Sequence, residues 1–337
     1  MANRFIEIAS PTLSCALCDR GAAIASVRVR GGDGRFTEVA LAPRSLLTDE
    51  ADPSLAGRTI GPCCGRVQDG AAVIDGRDVR LTQNEGRNHL HGGMNGCAHR
   101  RWEVSEASSS CVEFRAKLPD GLDGYPGNRM LAARYTVASQ TLRVAYTATT
   151  DATTWIDMTN HVYWDLGGRF DGSAMDQRLQ IAADGVVFND ESHLPRAVAA
   201  AEGAFDFSAP CALSEKAARH GDHPQLRIAR GFNNAFAIDP DRRRALGFAA
   251  RLTCPKSGIA LAMDTDRPAI VLYSSGFLDA STALRTPPGV ASPGCAIALE
   301  AQGFPDPFHL PGVRAECLAP GQTWRHWIEW RFEASDV

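Results

Sequence analysis

A chain of 337 residues with 44% hydrophobic and 22% charged residues has the composition of an ordinary globular protein, long enough for a sizeable core. Its formal net charge of -4 supplies no basic face for nucleic acid or an anionic membrane. No apolar run approaches the roughly 20 residues that cross a bilayer, and the first residues lack the apolar stretch of an export signal. The expectation is therefore a cytoplasmic protein. Its 10 cysteines read as reduced, mostly buried residues rather than a disulfide framework.

Long helical periodicity is nearly absent. Gly, Pro, Asp and Asn cut the chain about every ten residues, the pattern of an all-β sandwich or barrel, and residues 1–337 read as one domain. Residues 12–30 form two strands joined at Asp19-Arg20-Gly21; the first carries Leu13, Cys15 and Leu17, the second Ile24, Val27 and Val29. Cys15 and Cys18 have the spacing of half a zinc site, but no second pair follows and both fall in a strand pattern. A short strand at Val39–Leu41 precedes a largely polar loop, Pro43–Pro53. Residues 84–102 read as a loop holding His89, His91 and His99. The spacing of His89 and His91 suits metal binding, yet no third ligand is near and the glycines favour a loop. Strands return at Cys111 to Lys117, Arg129 to Val137 and Leu142 to Thr149. Tyr125, in a turn between them, reads as an anchor rather than a stacking residue. Leu213 to His220 is the best helix candidate, and residues 246–253, 258–263 and 269–274 read as strands. Cys295 to Leu299 is a continuous buried-strand pattern that delivers Glu300 to its end. A carboxylate there is costly to bury without purpose. Trp324, His326, Ile328, Trp330 and Phe332 alternate on a last strand, as core packing.

One stretch stands apart, Asp157-Met158-Thr159-Asn160-His161-Val162-Tyr163-Trp164-Asp165-Leu166-Gly167-Gly168. Asn160 and Asp165 can hydrogen-bond around His161, and Tyr163 and Trp164 offer flat faces of the kind that cover sugar rings. A lone histidine is more often a core residue. However, Thr159–Leu166 resembles the signature of the aldose 1-epimerases (galactose mutarotases). So do Asn88-His89-Leu90-His91-Gly92-Gly93 with Gly96 and Trp102, and Leu299-Glu300-Ala301-Gln302-Gly303-Phe304-Pro305-Asp306. Weaker echoes are Gly124–Asn128 and Leu318–Thr323. The matches keep the family's order across most of the chain.

The resemblance implies a large antiparallel β-sandwich of the galactose mutarotase-like supersandwich type, with the site in a cleft on one sheet and no cofactor or metal. It makes Glu300 the catalytic base and His161 the acid, with Arg66 and His91 binding the sugar. Asn233 stands where the family carries a sugar-binding aspartate, and Val271 where it usually carries a glutamine. Asn both donates and accepts hydrogen bonds, an ionised carboxylate only accepts, and valine does neither.

Interconverting two anomers needs a base for the C1 hydroxyl proton and an acid for the ring oxygen. It needs no nucleophile, nucleotide or redox group, which agrees with the lack of a P-loop or dinucleotide motif. The expected activity is that of a mutarotase on a free aldose or close derivative, in a monomer or homodimer. A relative acting on a phosphorylated or acidic sugar would need a cationic patch, for which Arg100-Arg101 and Arg242-Arg243-Arg244 are candidates. A third reading is a non-catalytic sugar-binding protein of the same fold.

Overall fold

The computed structural model describes residues 2–48 and 52–335. Period-two alternation dominates it. Leu131, Ala133, Tyr135 and Val137 are buried along one strand, and Leu142, Val144, Tyr146 and Ala148 along the next. Those strands, Arg129–Ala138 and Thr141–Thr150, belong to a nine-stranded antiparallel sheet. The long strand Trp324–Ala334 lies at its middle, paired with Thr141–Thr150 on one side and Ile259–Thr265 on the other.

A second, six-stranded sheet carries the site. Its order is Tyr163–Trp164, Ile297–Gln302, Ala269–Tyr273, Asn233–Ile238, Ala183–Asn189 and Pro195–Ala200, all antiparallel. Ile297, Leu299, Ala301, Phe236 and Trp164 point from it into the main apolar cluster. They meet the inner face of the larger sheet there, with Trp164 edge-on to Trp330 at 5.9 Å and to Phe332 at 5.6 Å. An N-terminal four-stranded sheet adds Ile8, Leu13, Cys15 and Val27 to the same cluster. Alternation then requires that Glu300, between Leu299 and Ala301, face the other way.

The two strands expected within 12–30 are Leu13–Cys18 and Ala23–Arg30. The expected strand at Val39–Leu41 is displaced: Ala40 makes only an isolated bridge to Trp164, and pairing resumes at Ala42–Pro43. The loop Pro43–Pro53 contains a short helical turn, Ser45–Thr48, and its residues 49–51 lie outside the described residues. The expected helix is Leu213–Arg219. Two others, Pro224–Ala229 and Pro240–Leu246, were not legible from periodicity. Each starts at a proline behind a side-chain cap. His223 Nδ1 accepts from Gln225 N, and the Asp239 carboxylate accepts from Asp241 N and Arg242 N. Arg242, Arg243 and Arg244 sit on the second of these, paired with Asp239 at 3.5 Å, Asp264 at 2.6 Å and Asp241 at 2.9 Å. No helix among the described residues is long and apolar enough to cross a membrane.

Candidate active site

Glu300 lies inside its strand, not at its end, and is only 3% exposed. Its side chain opens into a cavity of about 610 Å³, a volume ordinary for a small-molecule site. His161 enters the same cavity from the link between the strands Thr159–Asn160 and Tyr163–Trp164. Its Nε2 is 3.7 Å from Glu300 Oε1. The imidazole stacks on Tyr163 at 4.8 Å and 22°, and meets His91 and Tyr273 edge-on at 5.5 and 6.5 Å. Three aromatic neighbours therefore fix the ring that faces the carboxyl group.

Arg66, His91, Asn233 and Val271 line this cavity too. Arg66 does not wave in solvent. Its guanidinium grips Glu85 in a bidentate pair, Nε to Oε2 at 2.6 Å and a terminal nitrogen to Oε1 at 2.5 Å. Its strand, Arg66–Val67, pairs with His89–Leu90, which leads into His91. His91 has left-handed backbone (φ 51), and Gly92 beside it approaches the backbone so closely that a Cβ would lie 2.1 Å from Gly61 O. Gly65 N donates to His91 Nδ1 at 3.2 Å. The ring proton then belongs on Nε2, which is left as a donor. Burial holds His91 well below the usual histidine range, so it is neutral.

The other two histidines of that stretch do other work. His89 is fully buried; its Nδ1 donates to Thr82 O at 2.7 Å and its Nε2 accepts from Tyr125 O–H at 2.8 Å. Tyr125 is thus the anchor expected of it, outside the cavity. Among the described residues no three potential ligands gather into a metal site.

Part of the central motif departs from expectation. Trp164 covers no ligand; it is fully buried on the core side of the sheet. Asn160 donates to Gly57 O and to the Tyr135 hydroxyl, and Asp165 accepts the N–H groups of Gly167, Arg169 and Phe170 in the turn. Neither holds His161. Alternation explains this: residues 161 and 163 share the cavity face, while 160 and 164 turn away. The same rule would have found Tyr273, two residues beyond Val271 and also in the lining. Nothing local marks Glu85, which acts through an ion pair 19 residues away in sequence.

Burial governs the titration of the pair. It pushes Glu300 up to about 8 and His161 down to about 4. Between those values the two groups hold one proton. The acid role that the resemblance gives His161 calls for a charged imidazole, which the nearby carboxylate would favour. Here desolvation outweighs that attraction, so the proton sits on Glu300. Glu300 Oε2 is buried without a hydrogen-bond partner. Behind the strand, Asp157 accepts from Gly303 N at 3.0 Å and from a terminal nitrogen of Arg267 at 2.8 Å, which fixes the exit of the Glu300 strand.

A buried carboxyl–imidazole pair holding one proton, with His91, Asn233 and the Glu85-paired Arg66 beside it, defines an acid–base enzyme for a small polar ligand. The family model described as aldose 1-epimerase matches residues 4–331. Galactose mutarotase of Bos taurus is 29% identical over 332 residues, covering 98% of this chain and 94% of that protein. Aldose 1-epimerase of Escherichia coli K12 is 31% identical over 326 residues, 94% of this chain and 91% of that one. A crystal structure of an aldose epimerase homologue from C. elegans superposes with a TM-score of 0.89 at 27% identity, covering 99% of this chain and 100% of that one. The chain belongs to the aldose 1-epimerase family, and it is an isomerase.

Proposed function

We propose that this single-domain, cytoplasmic protein interconverts the α and β anomers of a free aldose in the cavity between His161 and Glu300. The observation that carries the reading is the 3.7 Å separation of the buried His161 Nε2 and Glu300 Oε1 in the lining of that cavity.

The proton inventory sets the steps. Sugar hydroxyls donate to the Glu300 carboxyl group in the cavity and supply hydrogen bonds that burial removed. This favours the carboxylate, and its proton moves to His161. Glu300 then takes the C1 hydroxyl proton while His161 gives its proton to the ring oxygen. The bond between C1 and the ring oxygen breaks, leaving an open aldehyde. After rotation about C1–C2, the C5 hydroxyl attacks the other face of the carbonyl and returns its proton to His161. Glu300 gives its proton to the carbonyl oxygen. No electrons are gained or lost overall. Arg66, held by Glu85, and neutral His91 orient the ring, and Asn233 contributes an amide at the far side.

Among the described residues the only lysine or arginine in the cavity lining is Arg66, already gripped by Glu85. That favours a neutral sugar over a phosphorylated or acidic one. Sugar binding without catalysis has no use for an acid–base pair.

The test is anomer exchange followed by polarimetry or NMR on freshly dissolved aldoses. The wild type is expected to accelerate exchange. Glu300→Gln and His161→Asn are expected to lose about 10²–10⁴-fold while keeping the wild-type circular dichroism. No acceleration of any free aldose by the folded wild type would end this reading.

A further inference from the structure

The floor of the cavity differs on the two sides of Glu300. Register pairing puts Glu300 opposite Val271, and Val271 opposite Ala235. Directly paired side chains share a face, with Cβ atoms roughly 5 Å apart. So one lateral row crosses three strands as Glu300, Val271, Ala235. Val271 and Ala235 both line the cavity, and both join an apolar cluster with Val187 and Leu310. On the opposite side of Glu300 lie the paired strand Tyr163–Trp164 and the His161 ring stacked on Tyr163.

The reaction fixes the sugar's direction over this row. C1 sits at Glu300, and the ring oxygen must face the acid, His161. The other ring neighbour of C1 is C2. It therefore points away from His161, toward Val271, with Ala235 one strand further on. Neither side chain has a hydrogen-bonding group. Asn233 stands in the next row, opposite Tyr273.

We propose that this site does not read the C2 hydroxyl, so that 2-deoxy-aldoses turn over about as well as their parents. This deepens the mutarotase reading and rests on it. A site built to hydrogen-bond a substrate hydroxyl rejects the analogue lacking it by roughly 10⁴–10⁵-fold, because its own polar groups are left unpaired. An apolar floor has no such group to leave unpaired.

The experiment measures catalysed anomer exchange by NMR for matched pairs, glucose with 2-deoxyglucose and galactose with 2-deoxygalactose, each corrected for its spontaneous rate. Wild-type kcat/KM for the 2-deoxy member is expected within about 10-fold of its parent. In Val271→Gln, which offers an amide to C2, the ratio should move at least 10-fold toward the parent. Val271→Thr, nearly isosteric, should move it the same way by less, and covers the case in which the glutamine variant does not fold. A wild-type preference for the parent of 100-fold or more overturns the proposal. So does an unchanged ratio in whichever variants fold. Acceleration of none of these sugars or of any other free aldose would instead reject the mutarotase reading itself, and the two failures are distinguishable.

Discussion

At the scale of residues, the behaviour of the site follows from two side chains whose burial moves them in opposite directions. In the free enzyme kcat/KM should be flat where the pair holds one proton and fall at both ends. The acid limb belongs to His161 near pH 4 and the alkaline limb to Glu300 near pH 8. Stability carries the same signature. Glu300 is raised from 4.5 to about 8, so above 4.5 the native state holds a proton that the unfolded chain has lost. Its contribution is fully present below 4.5 and is lost as pH rises through about 8. His161 is lowered from 6.5 to about 4, and its contribution grows with pH over that window, offsetting the first. From pH 6.5 to 8 only Glu300 acts. Relative to Glu300→Gln, wild-type unfolding free energy should fall there by about 1.4 kcal/mol per pH unit, a slope that urea titrations at several pH values will reveal. The five predicted site residues, His161, Glu300, Arg66, His91 and Asn233, all reach the cavity because each sits in or beside a motif with a fixed strand face. Trp164 and Asn160 were misread for the converse reason: adjacency in sequence places strand neighbours on opposite faces.

At the scale of elements, strands announced themselves through alternation, whereas the helices Pro224–Ala229 and Pro240–Leu246 are too short to show a period and exist by their prolines and caps. The loop that positions His91 is likewise a local construction. His89 is fixed between Thr82 O and the Tyr125 hydroxyl, and from there the chain turns His91 into the cavity. Tyr125→Phe removes a buried donor and leaves His89 Nε2 unsatisfied, which should cost about 1–3 kcal/mol in denaturant unfolding. Because Tyr125 touches no substrate, kcat/KM on the preferred aldose should stay within about twofold of wild type. A large rise in KM without a loss of stability would instead give Tyr125 the stacking role set aside above.

For the molecule as a whole, period two revealed an all-β chain but not which strands meet. The pairing of Thr141–Thr150 with Trp324–Ala334 joins distant parts of the chain, and side-chain alternation alone specifies no partner. The sandwich and its cleft were legible only through family resemblance. The cysteines follow the global packing as well. All ten are free, and only Cys211 and Cys317 are even partly exposed. Alkylation of the native protein under non-denaturing conditions should therefore label at most those two, and mass spectrometry after unfolding should find all ten. Cys63 and Cys64 are fully buried just before the cavity-lining Gly65, so their rapid labelling in the native state would show that the fold opens there.

The lone oxygen of Glu300 has a consequence over generations. Burying Oε2 with no partner works against the folded state, so a random replacement by an apolar residue of similar size relieves the fold at the moment it abolishes proton transfer. In a lineage that no longer needed the reaction, drift would favour such replacements over most others. Position 300 would be among the first to decay, and a glutamate still standing there is the mark of a chain under selection for turnover.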